Sequence, residues 1–501
     1  MASVLIRGGN LHDGERFLGV GDVLIADETI EAVGLLSIQE DFVAEILDAT
    51  GCVVAPGFIE CHNMTQQVER LDGNDALNLL AQGVTTCVIG NCGMSGQLTA
   101  ADGFLRQLES LRGARLSLNI GSLVGHNSLR QFVVAAPSSP SDAGEVHAME
   151  RILEEALDAG YLGFSSGLMY APGRSASQSE MDTLAAIVGR KGKVYTSHIR
   201  DEGDNIHAAV LEALDTARAG QARLVVSHLK AAGKANWGKA REMAHLVEAR
   251  RAEQEVYISF YPYTATSTVL RAVIPEETLG GAAGDVRQLR YNERDAQVLE
   301  RSGLQRYAEN GWNDVVVVSS TVKPYIGKSI AEISGPVSGA IPPYAAVLEI
   351  LHQDPNTRVV FYNIASETEL RDIAKFAWAM VASDGYVYST GSQEATHPRN
   401  YGAFARVVKD YVRTHGVMTL EEFVRRVTSL PAQVFNLHRR GALKPGYFAD
   451  LAIFRPEKMT DLADYKTPWT PAAGVRYALV NGRVAFRDDR ATSVFSGRYV
   501  A

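Results

Sequence analysis

Apolar and polar positions fall into three rhythms along the chain. Over residues 1–56, short alternating runs (SVLIRGGNL, GDVLIADETIEAVG, EILDATGCVVAP) are broken by Gly, Asp and Asn turns, a pattern that predicts a small β-sheet module. The same rhythm returns after residue 440 in GALKPGYFADLAIFR and YALVNGRVAFRDD. The two ends are therefore expected to build one small β-sandwich domain, 1–56 plus 440–501, with the rest of the chain inserted into it.

From Pro56 the rhythm changes to β-rich runs separated by helical patterns. The runs are GFIECH, TTCVIGNC, LNIGSLVGH, LGFSSGLMY, VYTSH, LVVSH, EVYISFYPYT and AWAMVASDG. Eight such runs alternating with helices predict an α/β fold, a (β/α)8 TIM-like barrel over 57–439. Between the seventh and eighth runs, residues 275–375 interrupt the pattern with VRQLRYNERDAQVLERSGL, DVVVVSS and TRVVFYNI. This insertion is expected to be a helical and mixed excursion acting as a lid or pocket wall.

The clearest unit lies between Val194 and Lys230. VYTSH ends in His198, an amphipathic segment with Ile206, Val210, Leu211, Leu214 and Ala217 at helical spacing follows, and LVVSH ends in His228. A right-handed strand–helix–strand crossover puts both strand ends on the same edge of the sheet, where α/β folds build their sites. The last residues of the eight runs read His62, Cys92, His126, Tyr170, His198, His228, Tyr263 and Asp384. A single strand-end histidine is more often a packed residue with a backbone partner, but imidazole and thiolate recurring at strand ends have the composition of a zinc site. Cys87, inside its run, reads as a small buried hydrophobe; Cys92, between Gly90 and Gly93, reads as a residue whose backbone can approach an ion or ligand. Asp384 before Gly385 fits an Asx-turn, or, beside a metal, a general base that takes a proton from water and returns it to a leaving amine.

Length and composition narrow the class. The 501 residues exceed one small core, and 46% apolar with 21% charged residues is ordinary for a soluble globular protein. A formal net charge of −9, without a basic stripe, argues against a nucleic-acid partner. No apolar run is long enough to span a membrane, no secretory signal is read at the N-terminus, and Cys52, Cys61, Cys87 and Cys92 read as reduced thiols. A cytoplasmic protein is the expectation, with no membrane partner; the oligomeric state is left open.

The motifs GFIECH, GVTTCVIGNCG, LVGHNSLR, GYLGFSSGLMY, HIRDEGD, SHLKAAGKANWGKA, YPYTA, SDG, HPRNYG, TSLPAQVFNL and KPGYFADLAIF, in this order, resemble the N-acyl-D-amino-acid deacylases (D-aminoacylases) of the amidohydrolase superfamily. The resemblance covers most of the chain. It implies a zinc-bearing barrel with a β-sandwich built from both ends, and hydrolysis of the N-acyl amide bond of a D-amino acid or related carboxylate. Carried over to this sequence, it implies zinc held by Cys92, His198 and His228, with His62 as a further candidate ligand, and Asp384 as the acid/base. Lys230, Tyr261, Ser267 and Arg399 match the family's substrate-carboxylate set, and His126 is added here as a further candidate substrate contact.

Three positions depart from the family pattern. Its first strand normally ends in two histidines separated by one residue, where this chain reads His62, Asn63, Met64; a thioether is a poor zinc ligand, so one zinc per chain is expected. Ser259 stands where the family tends to be acidic, and YVYSTGSQEAT lengthens the segment between SDG and HPR. An altered first strand leaves room for a different zinc-assisted reaction on an amino-acid-like metabolite, such as elimination, deamination, ring opening or C–C cleavage, and, further off, for a non-catalytic binding protein.

Overall fold

The computed structural model describes residues 3–38, 43–136, 139–274, 289–335 and 341–501. In chain order the strands are β1 (Ser3–His12), β2 (Phe17–Ala26), β3 (Thr29–Gly34), β4 (Glu45–Asp48) and β5 (Val53–Pro56), then β6 (Phe58–Glu60), β7 (Val84–Ile89), β8 (Asn119–Gly125), β9 (Gly163–Gly167), β10 (Val194–His198), β11 (Arg223–Val226) and β12 (Val256–Phe260). β13 (Thr266–Val269), β14 (Val315–Ser319) and β15 (Arg358–Phe361) precede β16 (Ala379–Val381), and β17 (Leu451–Phe454), β18 (Val475–Val480), β19 (Arg483–Arg487) and β20 (Arg490–Ala491) finish the chain.

Strands from both ends of the sequence share one nine-stranded sheet, ordered β20-β19-β18-β17-β5-β1-β2-β3 with β4 beside β1. The antiparallel β5–β17 pair, with Val54 opposite Ile453, is the join. Strand alternation decides which way each side chain faces. Leu451, Ile453, Tyr477 and Leu479 pack with Ile6, Val23 and Ile25 in a core of the sheet's own, whereas Ala452, Phe454, Ala478 and Val480 pack into the barrel's core. A buried polar knot fixes the two together: Asp450 accepts from Asn119 Nδ2 at 3.0 Å and from the Asn481 amide at 2.8 Å, and pairs with Arg440.

The second sheet has eight parallel strands in the order β16-β12-β11-β10-β9-β8-β7-β6. All eight runs expected from the sequence are present in it, and the helix Ile206–Gly220 between β10 and β11 buries Ile206, Val210, Leu214 and Ala217 of its expected apolar face, with Leu211 half-buried. The ring is completed just beyond the strands: Asn63 bridges Gly385, the Asp384 amide donates to the His62 carbonyl at 3.1 Å, and the Met64 amide donates to the Gly385 carbonyl at 2.7 Å. Glu60, wholly buried, reinforces this seam by accepting from the His62 amide at 2.8 Å and the Ser383 amide at 2.9 Å.

The excursion before β16 is mixed, with helices and strands, and it starts earlier than its sequence reading placed it. It contains a three-stranded antiparallel sheet, β13-β15-β14, which begins at Thr266, and it has a core of its own around Leu270, Val315, Val317, Val347, Val359 and Phe361. β-branched runs such as Val315–Val318 carry the strand signal, but pairing with β13 is a long-range event that local pattern does not show. Residues 275–288 and 336–340 of the expected insertion lie outside the described residues. The excursion touches the barrel mouth where the Asp204 amide donates to Tyr307 Oη at 3.2 Å and the Gly233 amide donates to the Ile364 carbonyl at 2.7 Å. Among the described residues no helix is long and apolar enough to cross a membrane.

Candidate metal and substrate site

Four of the strand-end residues converge at the carboxyl edge of the barrel. Cys92 Sγ lies 3.3 Å from His62 Nε2, 3.4 Å from His198 Nδ1 and 3.5 Å from His228 Nε2, and all four residues are buried. The rings of His198 and His228 stand edge to face at 4.4 Å, as the single crossover between β10 and β11 requires.

The backbone is bent to aim these groups. Cys92, His228 and Asp384 have φ of +53°, +37° and +50°, a left-handed conformation that costs an L-residue about 1–3 kcal/mol. Ser259 holds the His228 turn by accepting its amide at Oγ (2.9 Å), while its own carbonyl accepts the Leu229 amide at 2.9 Å. Gly90 and Gly93, with φ of +79° and +74°, serve close packing here: a Cβ would lie 2.4 Å from the Leu123 carbonyl at the first and 2.3 Å from Asn127 Oδ1 at the second.

Burial, aided by neighbouring imidazoles, holds His62 well below its ordinary pKa; burial outweighs the Glu202 charge to bring His198 down to about 3. Both are thus neutral nitrogen donors. Burial, with Asp384 and Glu202 nearby, pushes the Cys92 thiol well up, so a thiolate at this position requires a cation against it. A tetrahedral zinc with Zn–S of about 2.3 Å and Zn–N of about 2.0–2.1 Å needs S···N separations of about 3.5 Å. The observed 3.3–3.5 Å meets that requirement for each imidazole taken with the sulfur, and the donor atoms of His62, Cys92 and His228 lie within 4.8 Å of one another, so these three fit as a set able to hold zinc, with His198 Nδ1 bordering it 3.4 Å from the sulfur.

Asp384 stands beside this cluster, with Oδ1 3.6 Å from His62 Nε2 and Oδ2 2.6 Å from Arg399 Nη1. Burial works to raise its pKa, but Arg399 first, then His228, His62 and Lys230, keep the carboxyl below its usual value and therefore ionised. Arg399 lies 4.9 Å over the Tyr261 ring and donates through Nη2 to the Ser267 carbonyl at 3.5 Å. Tyr261 Oη, Ser267 Oγ and Arg399 Nε are buried without a hydrogen-bond partner among the described residues. Lys230 is buried against Glu202, with Nζ 2.6 Å from Oε1.

Two strand-end residues are placed elsewhere. His126, read from the sequence as a substrate contact, is the first residue of the helix His126–Val133, and its Nε2 donates to Glu180 at 2.7 Å. Glu180 also pairs with Arg130 and accepts Ser141 Oγ at 2.6 Å, so His126 belongs to a buried structural network. Tyr263 is buried between His397, 5.4 Å away, and the Arg406 guanidinium at 4.7 Å. Tyr170 does reach the cluster, edge to face with His198 at 4.9 Å.

Sequence reasoning missed the supporting roles of four residues. Glu60 and Ser259 hold backbone as described, and burial raises the Glu60 carboxyl to about 8. His397 accepts the Arg399 amide at Nδ1 (3.1 Å) and donates from Nε2 to the Ala265 carbonyl at 3.1 Å, which fixes the Arg399 helix against the loop after β12. Glu202 accepts from Lys230 and lies 3.0 Å from His228 Nδ1. A lone charge in the apolar run GFIECH and the acidic cluster in HIRDEGD were the available signals for Glu60 and Glu202.

Comparison with known proteins places this geometry in context. Residues 359–486 match the Amidohydrolase family model. The N-acyl-D-glutamate deacylase of Alcaligenes xylosoxydans xylosoxydans is 34% identical over 96% of this chain and 93% of its own length. The structure of N-acyl-D-glutamate deacylase from Bordetella bronchiseptica, complexed with zinc and a phosphonate mimic of the tetrahedral intermediate, is similar with a TM-score of 0.83 and 31% identity over 99% of both chains. A D-aminoacylase described by one-metal activation and second-metal attenuation of its binuclear centre is similar at TM-score 0.83 and 30% identity, again over 99% of both chains.

Proposed function

The chain belongs to the N-acyl-D-amino-acid deacylases of the amidohydrolase superfamily, and on that premise we propose that it is a zinc-dependent hydrolase releasing an acyl group from an N-acyl-D-amino acid whose α-carboxylate is free. The observation that carries the reading is the juxtaposition of the Cys92, His62, His198 and His228 donors with Asp384 and with the unpartnered polar atoms around Arg399.

Each part has a task. The substrate carboxylate is received by Arg399 together with the hydroxyls of Tyr261 and Ser267, which gives those buried donors the acceptor they lack. That anchoring sets the scissile amide toward the donor cluster and Asp384. Cys92, His198 and His228, with His62 beside them, would hold zinc, which would supply Lewis-acid chemistry for the amide carbonyl and charge stabilisation for the developing oxyanion. Asp384, ionised, takes a proton from the attacking water and delivers it to the departing nitrogen. Net reaction is amide plus water to acyl acid plus amine. One zinc per chain is supported by Asn63 and Met64 in the first-strand motif, where Met64 offers a thioether. Tyr307 against Asp204 supports a pocket-wall role for 275–375 in a barrel of 57–439, set within the sheet unit of 1–56 plus 440–501. Four free, buried cysteines support a reducing, cytoplasmic setting.

The test is product analysis on a panel of N-acetyl-D-amino acids with zinc-loaded protein. Equimolar acetate and free D-amino acid support the proposal; turnover that yields any other product pair, with no acyl acid released, moves the chain to a different zinc-assisted reaction.

A further inference from the structure

Behind the donor cluster lies a second group of ligand-like atoms that no step of the proposed reaction uses. His198 Nε2, Glu202 Oε1 and His228 Nδ1 lie within 4.8 Å of one another, all buried. This resembles a second ion site, but it already contains a cation: Lys230 Nζ is 2.6 Å from Glu202 Oε1 and 3.3 Å from His228 Nδ1. His228 turns Nε2 toward Cys92 at 3.5 Å, so its proton belongs on Nδ1, which is 3.0 Å from Oε1 of Glu202. His198 is oriented otherwise, Nδ1 to Cys92 and Nε2 to Met169 Sδ at 3.3 Å, with Glu202 at 3.9 Å. The Glu202 backbone is itself anchored, because its carbonyl accepts the Ala232 amide at 2.7 Å.

Resting on the site reading above, we propose that Glu202 is a positioning residue for the metal cluster, fixing His228 in the Nδ1–H tautomer with Nε2 presented to the ion, and that Lys230 is its built-in counter-ion. A carboxylate accepting the far N–H of a metal-bound imidazole fixes the ring and raises its basicity. The ammonium neutralises that carboxylate and fills the space where Glu202 would otherwise offer an oxygen to a further cation. Lys230, read from the sequence as a substrate-carboxylate group, also lies 5.6 Å over the Tyr261 ring, so the same ammonium borders both the metal side of the site and the pocket around Arg399.

The test is zinc titration of metal-free protein against a competing chelator, for the parent, Glu202→Gln, Glu202→Ala and Cys92→Ala. Glu202→Ala is expected to weaken zinc binding by about 10–100-fold. Glu202→Gln, which keeps an acceptor for Nδ1–H, is expected to recover part of that loss. With cobalt(II) in place of zinc, the thiolate-to-cobalt absorption of Cys92 persists in both variants while the ligand-field bands shift, a change that a purely structural role would not produce. Lys230→Met lowers the melting temperature, and adding Glu202→Gln to it restores part of the fall. Zinc affinity unchanged in both Glu202 variants overturns the positioning role; no restoration in the double variant overturns the counter-ion. A parent that takes up no zinc, or a Cys92→Ala that binds it as tightly, strikes at the site reading itself.

Discussion

The donor cluster of His62, Cys92, His198 and His228 and the pocket around Arg399 lie on either side of Asp384, yet they are finished to different degrees. In the cluster every donor atom is within 3.5 Å of the Cys92 sulfur, and the backbones of Cys92 and His228 are held in a left-handed conformation. In the pocket, Tyr261 Oη, Ser267 Oγ and Arg399 Nε are buried and unpaired. Leaving a buried polar group unsatisfied costs about 1–3 kcal/mol, which a carboxylate ligand would return. The cluster stands on barrel strand ends; the pocket draws on β13 of the excursion and on the helix Arg399–Arg406. One half is preset by the scaffold, and the other is completed by what binds.

The contrast can be broken most severely at the cluster. Cys92→Ala is expected to lose bound zinc and to lower kcat/KM by about three decades or more, the several kcal/mol that a Lewis acid contributes; metal content and steady-state kinetics check this together. Asp384→Asn sharpens the division, because it should keep the metal while kcat falls by about 10²–10⁴-fold. At the pocket, Arg399→Met is expected to raise KM by about 10–100-fold for a lost charge-assisted contact and, because Arg399 is also the first charge holding Asp384 ionised, to move the acid limb of kcat to higher pH; the matching N-acyl amine that has no carboxylate should show the second effect without the first. Ser267→Ala should raise KM by only about 2–10-fold. A KM change from Cys92→Ala alone, or zinc loss from Arg399→Met, would erase the distinction.

The smallest effect on either half should come from Glu180, away from both. Burial favours a higher pKa there, but His126, Ser141 and Arg130 hold the carboxyl down to about 2. A depressed folded-state value means that its stabilisation is complete above the ordinary 4.5 and is lost as pH falls toward 2. His126, lowered by burial from 6.5, contributes in the same sense, since acid must charge it where charge is disfavoured. Glu180→Gln should therefore flatten the acid limb of a plot of melting temperature against pH while leaving zinc content at neutral pH unchanged.

What the sequence revealed follows from how local each signal is. The eight β-rich runs and the His198–helix–His228 unit were legible because strand period, helix spacing and the handed crossover act over tens of residues. His126 was misplaced because β8 ends at Gly125 and the next residue opens a helix, turning its ring toward Glu180; one residue at a strand-to-helix junction decides that direction. Glu202, Ser259 and His397 were missed for another reason. Each acts through a contact with a neighbouring element, Ser259 on the turn after β11 and His397 on the loop after β12, and no periodicity within one segment encodes such contacts. The excursion's sheet was missed for the same cause, since Thr266 pairs with Phe361.

The join between β5 and β17 has a consequence for synthesis. Val54 waits for Ile453 before its edge is covered. At ribosomal rates of about 5–20 residues per second, an interval of roughly 400 residues leaves that edge exposed for roughly 20–80 s, while all eight barrel strands emerge. During this time the nascent chain carries an open β edge formed by Val53, Val54 and Ala55, a surface suited to a holdase and to mispairing with a neighbouring ribosome's product.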